Sequence, residues 1–263
     1  MNSTGANNDV AEINGERIPL YLYRPIGASN SKALLLFDGM HRNAPRMRDK
    51  AIYLSEHTGM TVIAPLFEQQ RFPNWRYARA GVINQRKIQP REEWTAPILQ
   101  ALVDWTHCLF TEPTSKVSLF GHSAGGQLLS RVCAYSSLSR VERVIVANPS
   151  TYVLPALHER APFGFKGIFS EEEAILKLRD YLATPLTIYL GQEDKEERNL
   201  DKSAAALRQG SNRLNRGRFT YRTALGMAKA LKIECNWRLT EVPGAGHSSR
   251  AMLAARQILE VLE

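Results

Sequence analysis

The sequence predicts an α/β fold: a mostly parallel central sheet with helices on both faces. Three observations predict it. Short β-branched or leucine-rich runs alternate along the chain with longer stretches of helical spacing. The runs are apolar throughout rather than polar at every second residue, as strands buried on both faces require. A sharp turn at residues 121–126 joins one such run directly to one such helix.

In chain order, residues 18–23 and 32–37 read as strands, separated by a turn region at 25–30 that holds Pro25 and Gly27. Residues 47–58 have helical spacing and stop before Gly59. Residues 61–65 form a compact apolar strand. Residues 92–110 read as a long amphipathic helix, with Trp94, Ile98, Leu102 and Trp105 recurring at three or four residues. A strand at 116–120, a helix at 125–135 and a strand at 143–147 follow. The remainder reads as a helix at 171–182, a strand at 186–190, a helix at 221–231, a strand at 237–242 and a closing helix at 251–262.

At 263 residues, with roughly 150 per domain as a soft guide, one or two domains are possible. No internal repeat, low-complexity tract or Pro/Ser-rich linker divides the chain, so residues 1–263 are read as a single domain. Two stretches break the alternation, near 69–91 and 148–170, and both are rich in aromatic residues. Irregular stretches of that length are functional or disordered, and the aromatic content argues against disorder.

Hydrophobic residues make up 44% and charged residues 23%, which excludes a disordered chain, a collagen-like fibre and a coiled coil. No run of 18 or more apolar residues occurs, so a spanning helix is excluded and no membrane partner is expected. The polar start, residues 1–10, lacks the basic and apolar stretches of a secretory signal, and a cytoplasmic location is the expectation. Cys108, Cys133 and Cys235 lie far apart in apolar contexts and read as buried, reduced thiols.

The 34 basic residues outnumber the 26 acidic ones, a formal net charge of +8. Such a surplus suits nucleic acid or anionic substrates. No helix-turn-helix, finger or aromatic RNA-binding signature accompanies it, so no nucleic-acid partner is expected.

The chemistry concentrates in Gly121-His122-Ser123-Ala124-Gly125-Gly126. A Gly-x-Ser-x-Gly match arises by chance in about a tenth of chains of this length, so the context carries the argument. A strand runs directly into the motif and a helix out of it. Small flanking residues then leave Ser123 at the carboxyl edge of the sheet, facing the N–H groups of the helix start. A serine hydroxyl needs a base beside it, and the base needs an orienting acid. His247 follows the last strand in a small polar loop, Gly244-Ala245-Gly246-His247, and is the candidate base. His57 and His107 sit in helical patterns, His158 in an irregular stretch, and His122 inside the turn itself. For the acid, Asp194 lies just past the strand at 186–190, with Glu193 next in preference and Asp201 third. The order Ser, Asp, His along the chain is that of α/β-hydrolases.

The turn after the strand at 32–37, Phe37-Asp38-Gly39-Met40-His41, is expected to supply a second oxyanion donor. The N–H of Met40 would act with that of Ala124, and Gly39 would allow close approach. His41 reads either as a substrate contact or as a loop histidine satisfied locally. Phe72, Trp75 and Tyr77, with Tyr152, Phe163 and Phe165, either wall an acyl pocket or pack the two irregular stretches down. Arg71, Arg76, Arg79, Arg86, Lys87 and Arg91 give the first stretch a basic rim, from which a preference for anionic esters is expected.

The set Phe-Asp-Gly-Met-His, Gly-His-Ser-Ala-Gly-Gly, Gly-Gln-Glu-Asp and Val-Pro-Gly-Ala-Gly-His resembles the α/β-hydrolase superfamily over almost the whole chain. Within it, Met40-His41-Arg42-Asn43-Ala44, residues 209–217 and Asn236-Trp237-Arg238-Leu239 are similar to small microbial hydrolases grouped with polyhydroxybutyrate depolymerases and related esterases. The resemblance implies attack by Ser123 on an ester carbonyl, proton transfer to His247, orientation of His247 by Asp194 and an oxyanion hole at Met40 and Ala124. It implies no metal or organic cofactor. The chain lacks the signal, linker and polymer-binding domain of secreted depolymerases, so a small soluble ester is expected as substrate. Amide hydrolysis on the same residues and a non-catalytic binding protein on this scaffold are the alternatives. Residues 209–217, with Arg213, Arg216 and Arg218 in or beside them, read as either a second binding element or a structured turn.

Overall fold

In the computed structural model, which describes residues 4–29, 31–110, 112 and 114–263, eight strands form one sheet. The first three residues of the polar start and Asn30 of the 25–30 turn lie outside the described residues. The elements are β1 (Gly5–Ile13), β2 (Glu16–Arg24), β3 (Lys32–Phe37), α1 (Ala44–Lys50), α2 (Ile52–Thr58) and β4 (Thr61–Pro65). A short hairpin, β5 (Ile83–Asn84) and β6 (Lys87–Ile88), precedes α3 (Ala96–His107), β7 (Lys116–His122), α4 (Ala124–Tyr135) and β8 (Arg143–Ala147). Then come α5 (Glu171–Ala183), β9 (Leu186–Gly191), α6 (Ala204–Gln209), α7 (Arg213–Leu231), β10 (Arg238–Val242), α8 (Ser249–Ala254) and α9 (Arg256–Leu262).

The strand order is β1-β2-β4-β3-β7-β8-β9-β10. From β4 to β10 neighbouring strands pair in parallel, while β2 pairs antiparallel with both β1 and β4. Apolar strands buried on both faces follow from the period of two. In β3, Ala33, Leu35 and Phe37 enter one core cluster, while Leu34 and Leu36 enter the other. Leu99 and Leu102 of α3, Leu128 and Val132 of α4, Leu178 of α5 and Ala224 of α7 pack in the first cluster. Met47 of α1, Leu54 of α2, Met252 of α8 and Ile258 of α9 pack in the second. The carboxyl ends of β3, β7, β9 and β10 all open on one edge, and their loops make the site.

Several boundaries depart from the sequence reading for local reasons. β1 went unread because its residues, Gly-Ala-Asn-Asn-Asp-Val-Ala-Glu-Ile, have no β-branched run; it is an edge strand with an exposed face. The stretch read as one helix over 47–58 is two helices, α1 and α2, broken at Ala51, and it starts earlier because Asn43 caps it through Arg46 N–H. The helix read from 92 begins at Ala96, where Pro97 occupies the first turn, and residues Arg91–Glu93 form a separate 3₁₀ turn. The closing helix breaks at Ala255, whose backbone is extended. Residues 209–217 link two helices. They end α6, pass through the Asn212 cap and open α7, which the sequence reading began eight residues too late. Cys108 is exposed, against the expectation of burial, because it lies just beyond the C-terminus of α3. Cys133 is buried, and burial pushes its thiol up to about 12.

Candidate active site

The turn at residues 121–126 is held by its glycines. A Cβ on Gly121 would stand 2.4 Å from the Gly125 carbonyl oxygen, and one on Gly125 would stand 2.2 Å from that of Phe37. Only hydrogen fits at either place, so β7 can turn straight into α4. Ser123 pivots between them at φ 56° and ψ −113°, a conformation that costs a non-glycine residue of order 1–3 kcal/mol. The surrounding structure overrides that cost, and the hydroxyl projects at the sheet edge.

There it meets an imidazole. His247 Nε2 lies 3.1 Å from Ser123 Oγ, and its Nδ1 lies 2.7 Å from Asp194 Oδ2. Asp194 is fully buried (0% exposed), at the turn that β9 runs into. Glu193 faces solvent and pairs with Lys195, and Asp201 caps the N–H of Ser203, so neither competes for the imidazole. Of the other histidines, His57 stacks on Tyr53, and His107 is tied to Ser115 Oγ and the Arg140 carbonyl. His158 is exposed in the irregular segment. His122 is buried with its ring centroid 4.8 Å from that of His247, and burial first, then the neighbouring His247, hold it well below the ordinary imidazole range. The three residues named from sequence thus form a continuous hydroxyl–imidazole–carboxylate line. Such a line can withdraw the serine proton as an electrophile is attacked.

The loop after β3 lies over this serine. A Cβ on Gly39 would sit 3.5 Å from Ser123 Cβ. The loop is tied from several sides. The Asp38 carboxylate accepts the Asn43 N–H at 2.7 Å, and the Tyr77 hydroxyl donates to the Asp38 carbonyl at 2.7 Å. The Arg42 guanidinium donates to the Phe72 carbonyl at 3.0 Å and lies 3.6 Å over the Tyr77 ring. Met40 lines the cleft beside the serine, and Ala124 opens α4, where a backbone N–H has no intrahelical acceptor.

The cleft around Ser123 has a volume of about 910 Å³. Of the expected substrate contacts, His41 and Phe163 line it. Phe72 does not: it is 0% exposed, edge-on to Phe67 at 4.8 Å and covered by the Arg76 guanidinium. Tyr152 is likewise buried (1% exposed) beneath Gly217, and Trp75 stands outside the lining. Tyr77 and Phe165 also belong to the core. An aromatic-rich loop in sequence here means a loop packed down on its own rings.

The basic rim is corrected in the same way. Arg71 and Arg76 are paired with Glu16, which ties the segment to β2, and Arg91 is paired with Glu173, which ties it to α5. Only Arg79 of that group faces the cleft, joined there by Arg46, Lys50, Arg198 and Arg250 from other elements. Among the described residues none of these five has a carboxylate at ion-pair distance. Lys50 instead donates to Ser249 Oγ at 2.7 Å. Asp38, Glu196 and Asp201 are the carboxylates of the lining. The cleft is therefore cationic, though for reasons other than the sequence rim. Among the described residues no group of three or more His, Cys, Asp or Glu side chains is placed to hold a metal ion, and no helix is long and apolar enough to cross a membrane.

Two contributors were missed from sequence. Asn148, at the end of β8, accepts the Gly191 N–H on Oδ1 at 2.9 Å and reaches the Gly246 carbonyl with Nδ2 at 3.4 Å, tying the loops of Asp194 and His247 together. Arg213, 1% exposed, places Nη1 3.3 Å from Asp194 Oδ1. The first reads in sequence as an ordinary loop Asn. The second was named within residues 209–217, read as a binding element or a turn, and its tie to Asp194 had no signal in the sequence.

No protein-family model and no curated protein matches the chain. Among solved structures, it is similar to poly(aspartic acid) hydrolase-1 from Sphingomonas sp. KT-1, at 26% identity over 99% of this chain and 100% of that one, with a TM-score of 0.87. It is also similar to LpqC, a poly(3-hydroxybutyrate) depolymerase from Bordetella parapertussis, at 29% identity over 95% of this chain and 88% of that one, with a TM-score of 0.85. Esterase 2 of Thermogutta terrifontis shares the fold at 17% identity and a TM-score of 0.57. By its sheet, its serine turn and these likenesses, the chain belongs to the α/β-hydrolase superfamily.

Proposed function

We propose that this chain is a serine hydrolase that cleaves carboxylic esters through an acyl-enzyme, with a preference for anionic substrates. The observation that carries the reading is the Ser123–His247–Asp194 line at 3.1 and 2.7 Å, at the floor of an open cleft. Ser123 Oγ attacks the carbonyl while His247 Nε2 takes its proton. Asp194 holds Nδ1–H, which keeps Nε2 free as acceptor and steadies the imidazolium that forms. The Met40 and Ala124 N–H groups receive the developing oxyanion, preset by the tethers on the loop after β3. His247 then gives its proton to the leaving group, and a water repeats the sequence against the acyl-enzyme. The Arg46, Lys50, Arg79, Arg198 and Arg250 charges favour carboxylate-bearing substrates.

A second reading, amide hydrolysis on the same residues, draws support from the likeness to a poly(aspartic acid) hydrolase combined with the cationic cleft. Poly(aspartic acid) is an amide-linked chain of carboxylates. One panel separates the two: kcat/KM on neutral and carboxylate-bearing p-nitrophenyl esters and on the corresponding anilides, with Ser123→Ala as the blank. The proposal expects turnover of esters, faster on the anionic member, and loss of about 10⁴-fold or more in the variant. Turnover of anilides alone favours the second reading, and equal rates on neutral and anionic members remove the charge preference.

A further inference from the structure

The segment that opens α7 carries an arginine with an unusual placement. Arg213 is fully buried, yet it lies on the far side of the carboxylate that holds the base. Asp194 offers Oδ2 to His247 Nδ1 at 2.7 Å and Oδ1 to Arg213 Nη1 at 3.3 Å. The same guanidinium donates to the Glu196 carbonyl at 3.1 Å and to the Arg198 carbonyl at 2.6 Å, both on the loop that Asp194 begins. Its Nε has no hydrogen-bond partner among the described residues. A buried cation kept in this way is costly, and simple packing would be served as well by an apolar side chain.

We propose, building on the serine-hydrolase reading above, that Arg213 is a positioning residue for the triad and sets the acid limit of the reaction. One part of the role is geometric. With Oδ1 and the following two carbonyls bound, the carboxylate cannot rotate, so Oδ2 stays on the axis of the imidazole Nδ1–H. The other part is electrostatic. A carboxylate alone behind His247 strongly favours the imidazolium, in which Nε2 cannot take the serine proton. A positive charge on the other oxygen offsets part of that bias.

Among the described residues, the charged and titratable groups around His247 are Asp194 and Arg213 behind it with the Tyr152 phenol buried close to Asp194, His122 at the end of β7, Ser123 at the turn into α4, Lys50 from α1 and Arg250 from α8. Burial holds His122 well below the ordinary imidazole range, exposed Arg250 is screened by solvent, and half-buried Lys50 is engaged with Ser249 Oγ. Arg213 is the one among these cations that touches the carboxylate.

The test is the pH profile of kcat/KM on p-nitrophenyl acetate for the wild type, Arg213→Gln and Arg213→Lys, each checked for folding by its thermal melt. Removing the cation favours the imidazolium, so the acid limb of Arg213→Gln moves up by about one pH unit. Its kcat falls roughly 10- to 100-fold with KM within about twofold. Arg213→Lys keeps the charge and loses the fork, so its kcat falls while its acid limb stays at the wild-type position. An acid limb that is the same in all three, or that moves equally in both variants, overturns the proposal. If Arg213→Gln does not fold, Arg213→Lys decides alone: an unmoved limb with reduced kcat supports the proposal, and a displaced limb or an undiminished kcat overturns it. Labelling of the wild type at Ser123 by a fluorophosphonate is measured first. Its absence defeats the serine-hydrolase reading itself, whereas labelling with an unmoved limb in Arg213→Gln defeats this proposal only.

Discussion

Asn148, with its backbone at φ 46° just past β8, accepts the backbone N–H of Gly191 at 2.9 Å and so clamps the end of β9. Its amide also reaches the Gly246 carbonyl, one residue before His247. The acid and the base are presented by two loops with no covalent link nearby, and this side chain is a bridge between them. Replacing it leaves a buried N–H unpaired, at a cost of about 1–3 kcal/mol. Asn148→Ala is expected to lower the thermal midpoint by a few degrees and to reduce kcat well beyond what that loss of stability explains. Parallel melts and initial-rate assays at a temperature where both proteins are folded check this.

The serine turn has no spare volume. A methyl group on Gly125 would stand 2.2 Å from the Phe37 carbonyl oxygen, which belongs to the neighbouring strand and cannot retreat without breaking the β3–β7 ladder. Gly125→Ala should destabilise by about 3 kcal/mol. The melt should show a midpoint lowered by about 6–12 °C.

His122 offers a test through pH. Burial, with His247 and Lys50 adding to it, holds this imidazole well below its ordinary range. The unfolded chain therefore binds a proton at His122 near pH 6.5 that the folded chain refuses, and stability falls as pH drops below that point. In His122→Asn the linkage is gone. Between pH 7.5 and pH 5 the wild-type midpoint should fall further than that of the variant, by differential scanning fluorimetry in matched buffers.

The cationic cleft makes a prediction about substrate charge. Arg46 and Arg250 line it, without carboxylate partners at ion-pair distance among the described residues. The double variant Arg46→Glu with Arg250→Glu should lose about tenfold in kcat/KM on a carboxylate-bearing ester at low salt and change less than about twofold on a neutral one. Added salt should shrink the wild-type preference, since exposed charges are screened over about 8–10 Å. Steady-state rates at two ionic strengths decide it.

What was legible in the sequence was whatever local pattern dictates. The strand at 32–37, the strand at 61–65 and the turn around Ser123 show in apolar runs and in glycines that nothing larger can replace. Asp194 and His247 were legible because each follows a strand end on the same edge. What a side chain meets across the fold was not. Phe72 and Tyr152 look the same in sequence whether they wall a cleft or fill a core, and burial settles them in the core. Arg71, Arg76 and Arg91 read as a free basic rim because Glu16 and Glu173, their partners, are distant in sequence. Arg213 was hidden by the start of α7, where a helix carries buried arginines in place of the apolar stripe that would reveal it.

The proposed function stands or falls with Ser123 as the nucleophile. Its most direct test is the intact mass of the protein after exposure to an excess of fluorophosphonate, followed by mapping of the modified peptide. A single stoichiometric adduct on Ser123, concomitant loss of esterase activity, and no adduct on folded Ser123→Ala are expected. An unmodified wild type, or equal labelling of Ser123→Ala, would contradict it.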